Sequence, residues 1–186
     1  MTKTYIINLI GGPGIGKSTL SALIYAKLKI NKNKYTVEYV QEYAKQLVWM
    51  QEFDILNNQY YVTQRQYKLL KQMTEKGDFV ITDGPIIQGL YYNLHNQDNI
   101  SDKDKTQQFI LQSNSQFNNI NIFLNRGPYE YESQGRLQSE EEAKEIDVIL
   151  KHLLKQNNVE FKIFEANSND NNIDQIIDYI IDYTNK

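Results

Sequence analysis

The sequence has no cysteine in 186 residues, which excludes disulfides, thiolate metal sites and a cysteine nucleophile. That absence fits a reducing compartment, and a cytoplasmic location is expected. No stretch approaches the roughly 20 apolar residues of a membrane span. The apolar run Tyr5–Ile10 is short and leads straight into glycines, so neither a signal peptide nor membrane attachment is expected. The net charge of −3 gives the chain no overall electrostatic footprint for nucleic acid, although a local basic groove remains open. The two histidines, His95 and His152, do not make a metal site. Arginine is as scarce as proline: Arg65, Arg126 and Arg136 are the whole set, and the prolines are Pro13, Pro85 and Pro128.

What remains is an ordinary globular composition, 40% hydrophobic and 23% charged. The length suits one domain, expected to span residues 1–186. Apolar runs at Lys3–Ile10, Thr36–Val40, Asp78–Thr82, Ile120–Leu124 and Glu160–Phe164 read as strands. Between them lie helical patterns. Leu20, Leu23, Ile24 and Leu28 share one face; so do Ala143, Ile146, Leu150 and Leu154, and Ile173, Ile176, Ile177 and Ile180. Two further helices are expected at Asn58–Lys76 and Lys103–Ser115, and Asn93–Lys105 reads as a polar surface loop or a mobile segment. Alternating strands and helices predict an α/β fold: a five-stranded parallel sheet covered on both faces, a three-layer sandwich. In such a sheet, ligands bind beyond the carboxyl ends of the strands. Each proline follows a glycine at one of those ends, a pairing that suits stiff, shaped loops.

The first junction carries the strongest signal. Residues Gly11, Gly12, Pro13, Gly14, Ile15, Gly16, Lys17 and Ser18 match G-x-x-x-x-G-K-[ST] in full, with a strand pattern before and a helix pattern after. Glycines let backbone N–H groups curl around phosphate oxygens, and the helix N-terminus adds partial positive charge. Lys17 reaches the terminal phosphates, Ser18 is suited to ligate Mg²⁺, and Thr19 supports the loop. The expected ligands are therefore ATP and Mg²⁺. The alternative is a glycine-rich turn capping a helix.

Asp83 ends the third strand, where an acid can orient Mg²⁺ or its water; a plain turn aspartate is the alternative. Glu42 follows the second strand and can accept a proton from an acceptor hydroxyl, or be a solvated glutamate opening a helix with Lys45 as partner. Arg126 and Arg136 bracket NRGPYEYESQGR, a segment with the look of a lid over about residues 125–138. Arginine suits clamping a phosphate whose charge is spreading, and Arg136 is the candidate mobile clamp; surface ion pairing is the alternative. Ser139 followed by Glu140, Glu141 and Glu142 reads as a capping box, not a metal site. Gln64 and Arg65 are candidates for lining an acceptor pocket, while Tyr61 and Tyr67 read as core.

These residues together resemble the P-loop kinases of the ribosylnicotinamide-kinase type, which include the kinase domain of the bifunctional bacterial NAD-synthesis regulator and phage-encoded relatives. The resemblance rests on INLIGGPGIGKSTL, QEYAKQL, QRQYK, FVITDGP and LNRGPYEYESQGRLQSEEEA, in that order over nearly the whole chain. It implies a P-loop NTPase core of the nucleoside/nucleotide-kinase-like class, with ATP and Mg²⁺ and an arginine-bearing lid. The family roles fall on Lys17 and Ser18 for ATP and metal, Asp83 for catalysis or metal, and Arg136 for the lid. Lys45 stands where the family often has arginine, and Gly84 and Pro85 replace larger polar residues. Glu42 and Gln64 also look like the acceptor residues of deoxynucleoside kinases. The expected activity is transfer of the γ-phosphoryl group of ATP to a small nucleoside-like or nucleotide acceptor. The alternatives are a phage-type kinase acting on a hydroxymethylated base in DNA and an ATPase or switch module without an acceptor. A GTPase is disfavoured because Asn31-Lys32-Asn33-Lys34 lacks the aspartate of N-K-x-D.

Overall fold

The computed structural model describes residues 3–30, 35–74, 76–127, 130–131, 134 and 137–185. Five strands form one parallel sheet: β1 (Tyr5–Ile10), β2 (Val37–Val40), β3 (Phe79–Thr82), β4 (Asn118–Asn125) and β5 (Lys162–Glu165). Their order is β2-β3-β1-β4-β5. Each strand coincides with an apolar run read from the sequence, shifted by one or two residues at its ends. The helices are α1 (Lys17–Ile30), α2 (Tyr43–Met50), α3 (Phe53–Leu56), α4 (Gln59–Met73), α5 (Gly89–His95), α6 (Lys103–Asn114), α7 (Glu140–Gln156) and α8 (Asp170–Thr184).

Strand pleating sends alternate residues of β1 to opposite faces. Ile7 and Leu9 pack with α1 and α8, through Leu20, Ile24, Ile173 and Ile176. Ile6 and Ile10 pack on the other side with Leu70, Leu90, Ile110, Ile146 and Leu150, so both faces of the sheet are buried. The third position on that second face is Asn8, which stays buried because its Nδ2 donates to Oδ1 of Asn119 and of Asn121, 2.9 Å each. The capping box is present as expected: the Glu142 amide donates to Ser139 Oγ at 3.2 Å, and the Ser139 amide donates to Glu142 Oε2 at 2.7 Å.

Two differences from the sequence reading matter. Residues 41–57 hold two short helices, α2 and α3; the sequence reading offers only the first, as the helix that Glu42 would open. The segment Asn93–Lys105 is a surface loop only over residues 96–102: α5 runs to His95, α6 starts at Lys103, and the turn between them is held by hydrogen bonds. Asn93 is fully buried and donates to the Lys103 carbonyl, Asn99 donates to the Asn93 carbonyl at 3.0 Å, and the Ile100 amide donates to the Asn57 carbonyl at 2.9 Å. Polar composition alone cannot separate a solvated loop from one knit by its own amides.

The chain leaves β1 for an edge strand on one side and later returns to fill the other, so connections diverge at β1. The loop after β1 therefore sits at the switch point where such sheets open a crevice. No helix among the described residues is long and apolar enough to cross a membrane.

Candidate active site

A cavity of about 840 Å³ opens at the carboxyl ends of the strands. One end is the loop Pro13–Thr19. Gly14 and Gly16 adopt φ of +71° and +97°, a left-handed backbone that L side chains rarely take, and this curls the loop into a nest of amides. Helix α1 starts at Lys17, so the amides of its first turn point outward without intrahelical acceptors. Gly14 is required a second time, because the ring of Tyr131 lies 2.5 Å from where its Cβ would stand.

Lys17 folds back over this loop. Its Nζ donates to the Gly11 carbonyl at 2.7 Å and to the Gly12 carbonyl at 3.1 Å, and the side chain is buried. Burial pushes its ammonium below the usual lysine range, against the opposing pull of Glu42, Asp83 and Asp147. Asp83 is 2% exposed, and both of its oxygens are engaged. Ser18 Oγ donates to Oδ2 at 2.5 Å, and the Glu42 amide donates to Oδ1 at 3.0 Å. Ser18 and Asp83 thus form a hydroxyl–carboxylate pair at the phosphate end. That pair fits a hydrated Mg²⁺, which takes one or two protein oxygens and completes its shell with water and phosphate.

Glu42 is the N-cap of α2, yet its side chain makes no cap bond. The carboxylate lines the cavity instead. Burial holds it above the ordinary glutamate value of 4.5; Lys17 pulls it down, and the Asp83 charge pushes it up again. The ends of β2 and β3 come together here because residue 84 is glycine: a Cβ at that position would meet Glu42 Cα at 2.6 Å.

The far end of the cavity is a wall of aromatic and amide side chains. Trp49, Phe53, Tyr91 and Tyr92 supply apolar surface and Gln59 and Thr63 supply buried hydrogen-bonding groups, while Gln88 reaches the loop end, its Oε1 accepting from the Gly11 amide at 3.4 Å. His95, unassigned from sequence, stacks on Tyr91 with ring centroids 5.0 Å apart and also faces the cavity.

The loop is braced from behind by residues of α7. The Gly12 amide donates to Asp147 Oδ1 at 2.6 Å. Arg126 lies against the same carboxylate, Nε to Oδ2 at 2.7 Å, as an ion pair without an aligned hydrogen bond. Its Nη2 donates to the carbonyls of Pro13 and Ala143, both at 2.9 Å. Burial raises the Asp147 carboxyl, with the Gly12 amide and Arg126 opposing.

A family model described as an AAA domain matches residues 6–170, most of the chain. The chain belongs to this AAA domain family. No curated protein matches it. Among solved structures, a deoxyadenosine kinase from M. mycoides, with products dCMP and a flexible dCDP bound, is similar at 22% identity and a TM-score of 0.55, covering 97% of this chain and 98% of that one. A thymidylate kinase from Ehrlichia chaffeensis is similar at 15% identity and a TM-score of 0.60, covering 99% and 100%. These likenesses show that the AAA domain here has the P-loop nucleoside/nucleotide kinase fold.

The residues singled out from sequence separate into groups. Lys17, Ser18, Thr19 and Glu42 line one cavity, with Asp83 directly behind Ser18 and Glu42. Gly11 and Gly12 do not line it; their carbonyls hold Lys17, and the Gly12 amide is taken by Asp147. Arg126, expected as a phosphate clamp, is instead committed to Asp147 and two carbonyls beneath the loop. Gln64 and Arg65 point away from the cavity: Arg65 lies over the Tyr43 ring at 5.7 Å, and the α4 face that lines the cavity is Gln59, Val62, Thr63 and Gln66. Gln66 is itself a structural clasp, accepting from the Tyr43 amide at 2.9 Å and donating to the Gln41 carbonyl at 3.3 Å. Arg136 and Pro128 lie outside the described residues. Asp147, Gln66 and Gln88 are not found from sequence. Asp147 carries a usable signal, an acid inside the apolar stripe Ala143, Ile146, Leu150 that calls for a buried cation.

Proposed function

We propose that this AAA domain is an ATP-dependent kinase that transfers the γ-phosphoryl group to a small nucleoside-like or nucleotide acceptor, with Mg²⁺ as cofactor. The observation that carries this reading is the single cavity with two ends: a phosphate loop at one, an aromatic and amide wall at the other, and Glu42 between them. A module that only hydrolyses ATP needs the first end alone.

The roles follow from the geometry. The amides of Gly14 to Thr19 grip the triphosphate, and Lys17 exchanges its two carbonyl partners for phosphate oxygens. Ser18 and Asp83 hold Mg²⁺, which when bound screens the charge of the phosphates. Glu42 is the general base. It faces the cavity, its carboxyl held by burial above the ordinary glutamate value, whereas both oxygens of Asp83 already accept hydrogen bonds. Glu42 takes the proton of the acceptor hydroxyl, the acceptor oxygen bonds the γ-phosphorus, and the bond to the β-bridging oxygen breaks, releasing ADP. Arg126 is a positioning residue that, with Asp147, fixes the loop. Arg136 is the lid cation, in a lid of about residues 125–138 on one domain spanning 1–186. The resemblance of the motifs makes nicotinamide riboside the first acceptor to test.

The experiment is ADP release measured with Mg²⁺ and a panel of nicotinamide riboside, nucleosides, nucleoside monophosphates and hydroxymethyluracil-containing DNA. Acceptor-dependent ADP release that vanishes in Lys17→Ala is expected. ATP hydrolysis that no acceptor changes would establish the second reading, an ATPase or switch module.

A further inference from the structure

The four backbone groups at the root of the phosphate loop are each held by a side chain. Lys17 Nζ donates to the Gly11 and Gly12 carbonyls at 2.7 Å and 3.1 Å, the Gly12 amide donates to Asp147 Oδ1 at 2.6 Å, and the Gly11 amide donates to Gln88 Oε1 at 3.4 Å. These anchors come from α1, from α7 and from the single turn Ile86–Gln88 that follows β3. We propose that Gln88 is a positioning residue that ties the acceptor wall to the phosphate loop, so that the grip on ATP depends on the Tyr92 hydroxyl at the acceptor end. The proposal rests on the kinase reading for the identity of the two ends it joins.

Gln88 is built into the wall as well as bonded to the loop. It is 3% exposed, and the next residue, Gly89, opens α5 and packs on α4. A Cβ at Gly89 would stand 3.0 Å from Gln59 Nε2 and 3.4 Å from Thr63 Oγ1, so Gln88 moves with the wall that carries those two side chains. Its own side chain also hydrogen-bonds the hydroxyl of Tyr92, one turn further along α5 and on the cavity lining. The Gly11 amide can only donate, so it takes the carboxamide oxygen, and the NH₂ is left to donate to the Tyr92 oxygen. Burial, and then the Glu42 charge, push that phenol above the usual tyrosine range and keep it protonated.

Loading the site shifts weight onto this anchor. When Lys17 turns to the phosphates, the Gly11 and Gly12 carbonyls lose their partner, and the two amides, on Gln88 and Asp147, keep the root in place. The bond from Gly11 is long and has room to tighten, and a carboxamide polarised by its second bond to Tyr92 accepts more strongly. Loss of Gln88 is therefore felt more in the loaded chain than in the empty one, and it lowers the fraction of loops ready to bind.

The test is calorimetric binding of AMP-PNP with Mg²⁺ to the full chain, without acceptor, in the parent, Gln88→Met, Tyr92→Phe and the double variant. The Gly11 amide resonance of ¹⁵N-glycine-labelled chain is the second readout. Gln88→Met, which keeps the volume and removes the oxygen, is expected to weaken AMP-PNP about 3- to 10-fold. Tyr92→Phe should weaken it about 2- to 4-fold and displace the Gly11 resonance, although its hydroxyl belongs to the other end. The double variant should bind no more weakly than Gln88→Met alone. Binding by Gln88→Met within about twofold of the parent, or losses that multiply in the double variant, overturns the proposal and leaves the kinase reading standing. Should urea denaturation show that Gln88→Met does not fold, Tyr92→Phe decides: a displaced Gly11 resonance upholds the link and an unmoved one overturns it. A parent chain that does not bind AMP-PNP overturns the kinase reading, and this proposal with it.

Discussion

Replacing Asp83 with asparagine separates the fold from the chemistry. The aspartate accepts from Ser18 Oγ at 2.5 Å and from the Glu42 amide at 3.0 Å. Asparagine preserves both contacts: its carbonyl oxygen accepts the Glu42 amide, and its NH₂ donates to Ser18 Oγ, since a hydroxyl accepts as readily as it donates. What is lost is charge. A hydrogen bond to a carboxylate contributes about 1.5–3 kcal/mol and a neutral one about 0.5–1.5. Two such bonds weaken by roughly 1 kcal/mol each. Opposing that loss, a buried carboxylate 2% exposed disappears from beside Glu42, whose own carboxyl it pushes up. The net change in folding stability is therefore about 0–2 kcal/mol destabilising, read by urea denaturation. Turnover should fall far more. Neutralising a preorganised charge next to a reacting phosphate lowers kcat by about 10²–10³-fold. Asp83→Asn with turnover within about threefold of the parent would refute the assignment of Asp83 to the metal and phosphate end.

Glu42→Gln should abolish acceptor phosphorylation while raising stability at neutral pH. The folded carboxyl lies above its ordinary value of 4.5, so the parent's contribution is fully present below that value and is lost as pH rises through the folded pKa. The variant's advantage in denaturation midpoint should therefore be seen at pH 7–8 and close near about pH 4, and parent kcat should climb with pH along a limb above the usual carboxylate range. Arg126→Ala strands Asp147 as a buried, unpaired acid, since their side chains are 20% and 15% exposed. It should cost about 2–4 kcal/mol by denaturation and weaken ATP binding in calorimetry. Gly12→Ala places a Cβ 2.7 Å from both the Ala143 carbonyl and Asp147 Oδ1, so the loop must lift from α7. A loss of about 1–3 kcal/mol is expected, with reduced ATP affinity; a variant matching the parent in both would dismiss the brace.

How much of this is legible before folding depends on how local each signal is. The five strands are read correctly, and the glycine-rich loop falls where the sequence puts it between β1 and α1, because each is a contiguous pattern: an apolar run, or eight residues that match a known loop motif. Strand order is not local, and the order β2-β3-β1-β4-β5 rests on pairings between residues 40 or more positions apart. The helix α4 shows how a small phase error redirects a site. Val62, Gln66 and Leu70 fall on its buried face, and at about 100° per residue Gln64 lies on nearly the opposite side of the helix from Gln66. The apolar spacing of Val62 and Leu70 is sufficient to select Gln66. Arg126 fails differently: its side chain is read by chemistry, as a phosphate binder, when its partner Asp147 sits 21 positions later and takes it first.

The most informative departure from the resembling kinases is Gly84, which in sequence puts the acceptor in question. Its cause is steric. With no Cβ, residue 84 lets the Glu42 backbone close onto the end of β3, where a Cβ would stand 2.6 Å from Glu42 Cα. That same closure lets the Glu42 amide reach Asp83 Oδ1 at 3.0 Å and sets the Glu42 carboxylate between the two ends of the cavity. A larger polar residue at 84 would have to push β2 and β3 apart to fit, and would break that bond. The glycine that lets the Glu42 backbone close against β3 thus leaves no room for a longer side chain at position 84.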